Sequence, residues 1–263
     1  MDVTGKITAV TGAGSGIGRA LCIAFANNGA REIAVIDINH ANAEAVANEC
    51  GGKAYTGDVK DEHAFAAILE RIEAEQGAID LYCSNAGIAR MDAVKGEAAS
   101  APNRDWEASW QVNVMQHVYA ARVLVPKMRA RGGGSFLITA SAAGLLTQLG
   151  GGPYAVTKHA AIGFAEMLAI THARDGIVVS VLCPQGVETP LLQSIPAGPE
   201  RVDGVLSAEA VATATIEGLR RGTFLILPHG NVVRYMQAKT ADYDRWLRGM
   251  VKLGQRIDEN AGR

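Results

Sequence analysis

Tyr154 and Lys158 stand four residues apart in the stretch "GGGPYAVTKHA", residues 150–160. On a helix, positions i and i+4 share a face, so a phenol and an ammonium project together. A nearby cation favours tyrosinate over tyrosine. Such a phenol can give and take a proton. The help is needed: an unperturbed tyrosine has a pKa near 10, and ionising it at neutral pH costs ~4 kcal/mol. Two more polar residues stand in telling places. Ser141 closes the apolar run "SFLITAS", and Asn113 sits in "QVNV" inside a long helical stretch. A hydroxyl at a strand end can hydrogen-bond a carbonyl or alkoxide, as an oxyanion donor does. Each residue alone has a plain structural explanation: a solvated helix face, a turn or a surface amide.

Positioning these groups requires a scaffold, and the sequence describes one. Short apolar runs at 7–11, 32–37, 53–57, 79–84, 135–140, 177–184 and 224–228 alternate with helical patterns such as 17–28, 40–49, 61–76, 105–130 and 154–174. The runs are apolar throughout rather than alternating, which suits strands covered on both faces. Strand–helix alternation over 263 residues predicts an α/β fold with an open, mainly parallel sheet. Right-handed crossovers place helices on both of its faces. With 48% hydrophobic residues the chain suits one large-cored domain, 1–263.

The first strand runs into "TGAGSGIG", Thr11 to Gly18, with glycines at 12, 14, 16 and 18. A glycine turn between strand and helix brings backbone N–H groups and a positive helix end to a phosphate. The usual dinucleotide spacing G-x-G-x-x-G is not met; the pattern is T-G-x-x-x-G-x-G. Asp37 ends the second strand, where a carboxylate can accept hydrogen bonds from both hydroxyls of an adenine ribose and repel a 2′-phosphate. Ile38, Asn39 and His40 follow it, without a cation to recover that phosphate. The residues therefore favour NAD over NADP, although Asp37 also suits a helix N-cap. "GDV" at 57–59 and "SNAG" at 84–87 close the third and fourth strands, where an open sheet holds its ligands. Asp58 could bond the adenine amino group, and Asn85, Ala86 and Gly87 could floor the ribose. Either segment also makes an ordinary turn.

Together, "TGAGSGIG", Asp37, "DV" at 58–59, "NAG" at 85–87, Asn113, Ser141, "YAVTK" and "PQGVET" at 184–189 resemble the single-domain short-chain dehydrogenase/reductase family. The resemblance implies a Rossmann-like, doubly wound, seven-stranded parallel sheet and hydride transfer between NAD(H) and an alcohol or ketone. It implies a catalytic tetrad. Tyr154 is the general acid/base, Lys158 lowers its pKa and bonds the nicotinamide ribose, Ser141 holds the substrate oxygen, and Asn113 holds a water leading to solvent. Cofactor contacts are implied at Gly12, Ser15, Gly16, Ile17, Gly18, Asp37, Ile38, Asp58, Val59, Asn85, Ala86, Gly87, Tyr154, Lys158, Pro184, Val187 and Thr189. The family often has Pro-Gly where this chain has Pro184-Gln185, so Gln185 is a candidate substrate contact.

The remaining substrate candidates are Ala143, Gln148, Leu149 and Leu191 beside Ser141, with a substrate loop over about 189–207. These groups are small or apolar, which favours a secondary alcohol or ketone with much hydrophobic surface. Segment 193–205 reads as a mobile surface connection. The tail, about 229–255, reads as one amphipathic helix for core, subunit contact or cover of the substrate opening. By resemblance the chain forms a homotetramer or homodimer. Two other functions remain open: an NADPH-dependent reductase of carrier-bound ketoacyl groups, opposed by Asp37, and a dinucleotide-binding regulator without turnover, opposed by the tetrad. A net charge of −2 gives no footprint for nucleic acid, and no apolar run approaches the ~20 residues of a membrane span. Cys22, Cys50, Cys83 and Cys183 lack metal spacing and read as reduced core residues, with no metal expected. The opening residues show no secretory pattern, so a cytoplasmic location is expected.

Overall fold

The computed structural model describes residues 1–196 and 198–261. Seven parallel strands form one sheet: β1 (Ile7–Thr11), β2 (Glu32–Asp37), β3 (Lys53–Thr56), β4 (Leu81–Ser84), β5 (Gly134–Thr139), β6 (Ile177–Leu182) and β7 (Leu225–Ile226), in the order β3-β2-β1-β4-β5-β6-β7. The order reverses between β1 and β4. That switch point leaves a crevice outside the strand ends. The helices are α1 (Gly16–Asn27), α2 (His40–Cys50), α3 (Glu62–Gln76), α4 (Asn103–Trp110), α5 (Gln116–Ala130), α6 (Ala143–Leu146), α7 (Gly152–His172), α8 (Pro190–Gln193), α9 (Ala208–Arg221), α10 (Asn231–Ala241) and α11 (Tyr243–Ala261).

Strand geometry splits the core in two. Neighbouring residues of a strand face opposite ways. Thus Ala9, Ile36, Tyr82 and Phe136 pack on one face with α3, α5 and α7, while Val10, Val35, Leu81 and Leu137 pack on the other with α1, α2 and α9. Local chemistry sets the helix ends. Asn39, Asp61 and Ser207 cap α2, α3 and α9 by accepting the N–H of Asn42, Ala64 and Ala210. Gly51 and Gly222 close α2 and α9 in the left-handed region.

Several boundaries move from the sequence expectation. The fourth strand starts at Leu81, because the Asp80 carboxylate accepts the Ile7 N–H (2.9 Å) and ties off the strand start. The last strand shrinks to two residues. The helical stretch around Asn113 runs from Asn103 to Ala130, but Gln111–Met115 forms a wide π-turn within it. The tail is two helices rather than one. Asp242 leaves the helix with φ −154°, and its carboxylate accepts the Arg245 N–H (2.8 Å), capping α11. Segment 193–205, expected as a mobile surface connection, contains a 3₁₀ turn at Pro199–Arg201 and is tied to the loop after β6 where Gly186 N–H donates to Glu200 O (2.9 Å). Ala197 lies outside the described residues.

Candidate active site

The glycine loop after β1 is shaped by close backbone approaches. Gly12 has φ +61°, and a Cβ there would lie 2.7 Å from Ala86 Cα. Gly16 has φ +50°, and a Cβ there would meet Thr189 Cγ2 at 2.9 Å. Both positions exclude a side chain by conformation and by space. Gly18 lies behind the loop and does not line the cleft. A Cβ at Gly18 would run into Gly12 O, so this glycine lets α1 pack closely against the loop. The α1 N-terminus meanwhile points its unpaired N–H groups into the cleft; Ser15 precedes it and makes no capping bond of its own.

One buried hydroxyl knits the two central strands. Thr11 Oγ1 accepts the N–H of Asn85 (2.9 Å) and of Ala86 (3.1 Å) and donates to Gln116 Oε1 (3.1 Å). Gln116 Nε2 donates in turn to Ala86 O and Val112 O. Asn85 Nδ2 reaches Thr11 O (3.0 Å), and its Oδ1 accepts from Thr139 Oγ1 (3.0 Å). Gln116 and Thr139 escaped the sequence reading, which carried Thr11 only as the first residue of the glycine motif. A glutamine in the apolar stretch "VNVMQHVYA" was the available signal.

At the far end of the cleft, Asp37 is held between two backbone donors: Gly14 N–H to Oδ2 (2.8 Å) and Asn39 N–H to Oδ1 (2.9 Å). Each oxygen keeps a free lone pair. Asp58 accepts the Lys60 N–H (3.0 Å) and pairs with Lys60 Nζ (3.3 Å). Around these groups lies a cavity of about 450 Å³. It is lined by Gly12, Ser15, Gly16, Ile17, Asp37, Ile38, Asp58, Val59, Asn85, Ala86, Gly87, Pro184, Val187 and Thr189. Every predicted cofactor contact except Gly18 therefore meets one cleft, which ends at Ser141, Tyr154 and Lys158.

Lys158 is buried, and its Nζ donates to Thr139 O (2.9 Å). Burial lowers its pKa to about 8. Its Nζ lies 5.7 Å from the Tyr154 ring centroid. Burial also pushes the Tyr154 phenol above its usual value, against a hydrogen bond from Ser141 that pulls it down. The expected lowering by Lys158 is therefore not what governs this phenol within the protein alone; desolvation is. Ser141 is anchored by the loop after β6: its Oγ donates to Pro184 O (3.4 Å) and accepts the Ala143 N–H (3.1 Å).

Asn113 does not line the cleft. Its Oδ1 accepts the Ile88 N–H (2.9 Å), and its Nδ2 donates to Ile88 O (2.9 Å) and Thr157 Oγ1 (3.0 Å). Both amide hydrogens are spent, so the side chain clamps the segment after β4 to α7 and offers no N–H to the expected water. Behind it His117 is buried, bonded to Ser84 Oγ (2.6 Å) and pushed down to about 3 by burial, so it stays neutral.

A second cavity of about 610 Å³ opens from Ser141 on the other side. Ala143 and Leu146 form its floor, Pro199 and Val202 one wall, and Trp246, Met250 and Leu253 of α11 its roof. Ser141, Gln148, Gln185 and Glu200 line both cavities, while Leu191 lines the cleft alone. Leu149 lines neither; it packs against α11, where a Cβ at Gly254 would lie 3.6 Å from its Cδ1. Glu200 was not anticipated. Its carboxylate accepts from Gln148 Nε2 (2.9 Å) and from the Gly198 N–H (2.9 Å). Among the described residues no His/Cys/Asp/Glu group could hold a metal, and no helix is long and apolar enough to cross a membrane.

Comparison with known proteins agrees with this geometry. The family model for short chain dehydrogenases matches residues 6–200. The chain is 32% identical to the oxidoreductase UcpA of Escherichia coli K12 over 218 residues, covering 80% of this chain and 81% of that protein. It is 33% identical to the 1-deoxy-11-beta-hydroxypentalenate dehydrogenase of Streptomyces exfoliatus over 238 residues, 88% of this chain and 86% of the relative. A short chain dehydrogenase/reductase from Burkholderia phymatum, solved with NAD, shares the fold with a TM-score of 0.83 at 24% identity, covering 93% of this chain and 96% of that one. The chain belongs to the short-chain dehydrogenase/reductase family of oxidoreductases.

Proposed function

We propose that the protein transfers hydride between NAD(H) and a secondary alcohol or ketone carried on a substantial apolar body. One observation carries the reading: the glycine-lined cleft and the apolar cavity meet at Ser141, beside Tyr154. The cleft's residues fit a dinucleotide, because glycines at 12 and 16 let the loop hold a tight turn against Ala86 and Thr189 that no side chain would permit, and α1 presents free N–H groups to a pyrophosphate. Bound NAD(H) supplies the hydride acceptor or donor, and in its oxidised form a positive ring that opposes the upward push on the Tyr154 phenol.

The chain's own residues then divide the work. Ser141 Oγ turns its one hydrogen from the long contact with Pro184 O (3.4 Å) to the substrate oxygen and holds that oxygen against Tyr154. Tyr154 Oη hands that oxygen a proton in reduction and removes it in oxidation. Lys158 keeps positive charge beside the phenol and offers its remaining N–H groups to the nicotinamide ribose. Asn113 is a positioning residue acting through Ile88 and Thr157. Asp37 supports NAD over NADP. Its carboxylate faces the ribose position, Lys60 is paired with Asp58, and Arg90, farther along the cleft, sits 3.7 Å from Asp105. The Streptomyces relative is named for a hydroxylated substrate, in keeping with an alcohol as the reactant.

The chain works as one unit, with 189–207 and 229–255 as its substrate-facing parts, in the cytoplasm and without nucleic acid, membrane or metal partners. Exposed Val156, Met167 and Ile170 on α7 support a homotetramer or homodimer built through that helix. The test is initial-rate kinetics with NAD and NADP against secondary alcohols of increasing apolar size. The reading predicts a higher kcat/KM with NAD and a rise with chain length. A preference for NADP, or for small polar alcohols, would contradict it.

A further inference from the structure

Gln148 lies in the loop between α6 and α7, after Ser141 and before Tyr154 in the chain. Like Ser141 it lines both cavities, so it stands where they meet. The backbone in front of it is strained. Thr147 has φ +76°, the only non-glycine among the described residues with a positive φ. A β-branched residue rarely takes that conformation. Such positions persist where the surroundings over-determine them, and they gather at ligand sites. Two glycines press on the side chain that follows. A Cβ at Gly151 would lie 3.0 Å from Gln148 Cγ. One at Gly198 would lie 3.4 Å from Gln148 Nε2 and 2.7 Å from Glu200 Oε2.

The partner of this side chain fixes which way its amide faces. Gln148 Nε2 donates to Glu200 Oε2 (2.9 Å). The other oxygen of Glu200 accepts from the Gly198 N–H (2.9 Å) and from Arg201 Nε (3.3 Å), which hold the carboxylate in place. A carboxylate only accepts hydrogen bonds, so it must receive the nitrogen end of the amide. Gln148 Oε1 is then the end turned away from Glu200. It accepts no hydrogen bond among the described residues, and, unlike Gln185 Oε1, it is not buried. Around it the cavity floor is apolar, with Ala142, Ala143 and Leu146. In the empty site water can serve this oxygen. An apolar body that fills the cavity expels that water and leaves the carbonyl unpaired, which is costly unless the substrate brings a donor of its own.

We infer that Gln148 Oε1 is a specificity contact that accepts a hydrogen bond from a second hydroxyl on the substrate, one or two carbons from the reacting one. The inference rests on the alcohol dehydrogenase reading above and narrows its substrate class. The preferred substrate is a hydroxylated secondary alcohol, or the matching hydroxy ketone, whose apolar remainder fills the cavity under α11. Glu200 is a positioning residue in this scheme. In Glu200→Gln the partner can donate as well as accept, so the Gln148 amide loses its reason to face one way.

The experiment compares ketones whose extra oxygen can or cannot donate: 3-hydroxydecan-2-one against 3-methoxydecan-2-one, and 4-hydroxydecan-2-one against 4-methoxydecan-2-one. Binding to the Tyr154→Phe protein with NADH is measured by calorimetry, alone and combined with Gln148→Met or Glu200→Gln. At one of the two positions the hydroxy ketone should bind roughly tenfold better than its methoxy partner, the worth of one well-placed hydrogen bond. Adding Gln148→Met should lower that ratio by about the same factor, and Glu200→Gln should lower it part of the way. Each protein serves as its own reference, so a general loss of folding cancels from the ratio. Differences in the size and hydration of the two groups cancel between proteins. A ratio that Gln148→Met leaves unchanged at both positions would overturn the inference, as would methoxy ketones bound as tightly as hydroxy ketones before that substitution. Failure of all four ketones to bind the NADH complex would instead sink the alcohol dehydrogenase reading, and the inference with it.

Discussion

The two ends of the reaction cleft are built by different means. At the dinucleotide end, the loop backbone is pinned at close quarters: Gly12 lies against the Ala86 backbone, Gly14 N–H bonds the Asp37 carboxylate, and the Asn85 amide bonds Thr11 O and Gly12 O. At the substrate end, side chains from distant segments close a chamber. Its roof, α11, is barely buried, with Tyr243 56%, Leu247 51% and Val251 61% exposed. The first construction leaves almost no freedom to the ligand's shape. The second can change its contents by exchanging a few side chains without disturbing the sheet. A fold that keeps one cofactor while varying its substrate needs this asymmetry.

The largest effect on that contrast should come from Gly12→Ala. The new Cβ meets Ala86 at φ +61°, so the loop must shift. NADH binding, followed by fluorescence, should weaken by roughly 100-fold, matching a strain of about 3 kcal/mol. Unchanged binding would show that the backbone contacts are not what shapes this end. Next in size, Asp37→Ser should shift the kcat/KM ratio of NAD to NADP by about 10- to 100-fold toward NADP, because a charge opposing the 2′-phosphate is gone. Trp246→Ala tests the other end. Removing this part of the roof should raise KM for a long-chain alcohol by roughly tenfold and leave the NADH Kd alone. A changed NADH Kd would mean the two ends are coupled and the contrast is wrong.

The smallest effect near neutrality is on pH. Lys158 has a pKa lowered by burial to about 8. Tyr154, shifted upward, stays protonated through this range. Ketone reduction needs both protons, so its kcat/KM should hold level below about pH 8 and fall above it, approaching tenfold per unit. Stability should respond with the opposite sign. Between about 8 and 10.5 the unfolded lysine keeps a proton that the folded one has lost. The Lys158 contribution to stability therefore rises across that window. The comparison is the pH dependence of unfolding in the wild type against Lys158→Met. A pH-independent difference would argue that the lysine is not desolvated.

The same asymmetry explains what could be read from the sequence. Strand positions, glycine loop and Asp37 are local: "TGAGSGIG" encodes its own conformation, and an all-apolar strand announces that both faces are covered. Gly18 packs beneath the loop rather than along the cleft: spacing shows that a glycine is required but not which neighbour requires it. Asn113 was singled out for a water contact, but its partners, Ile88 and Thr157, lie 25 and 44 residues away, and no spacing rule reaches so far. The pair at the cavity junction joins Gln148 to Glu200, 52 residues on, and only folding brings them together. The split of the tail at Asp242 was hidden because a single capping carboxylate, not a proline or glycine, interrupts the pattern.

Single-turnover stopped flow, with NADH and decan-2-one on wild-type and Tyr154→Phe protein, asks the most of the claim that one phenol passes the proton at the meeting point of the two cavities. The account predicts unchanged NADH affinity and hydride transfer slowed by about 10²- to 10⁴-fold in the variant. Transfer at the wild-type rate would contradict it.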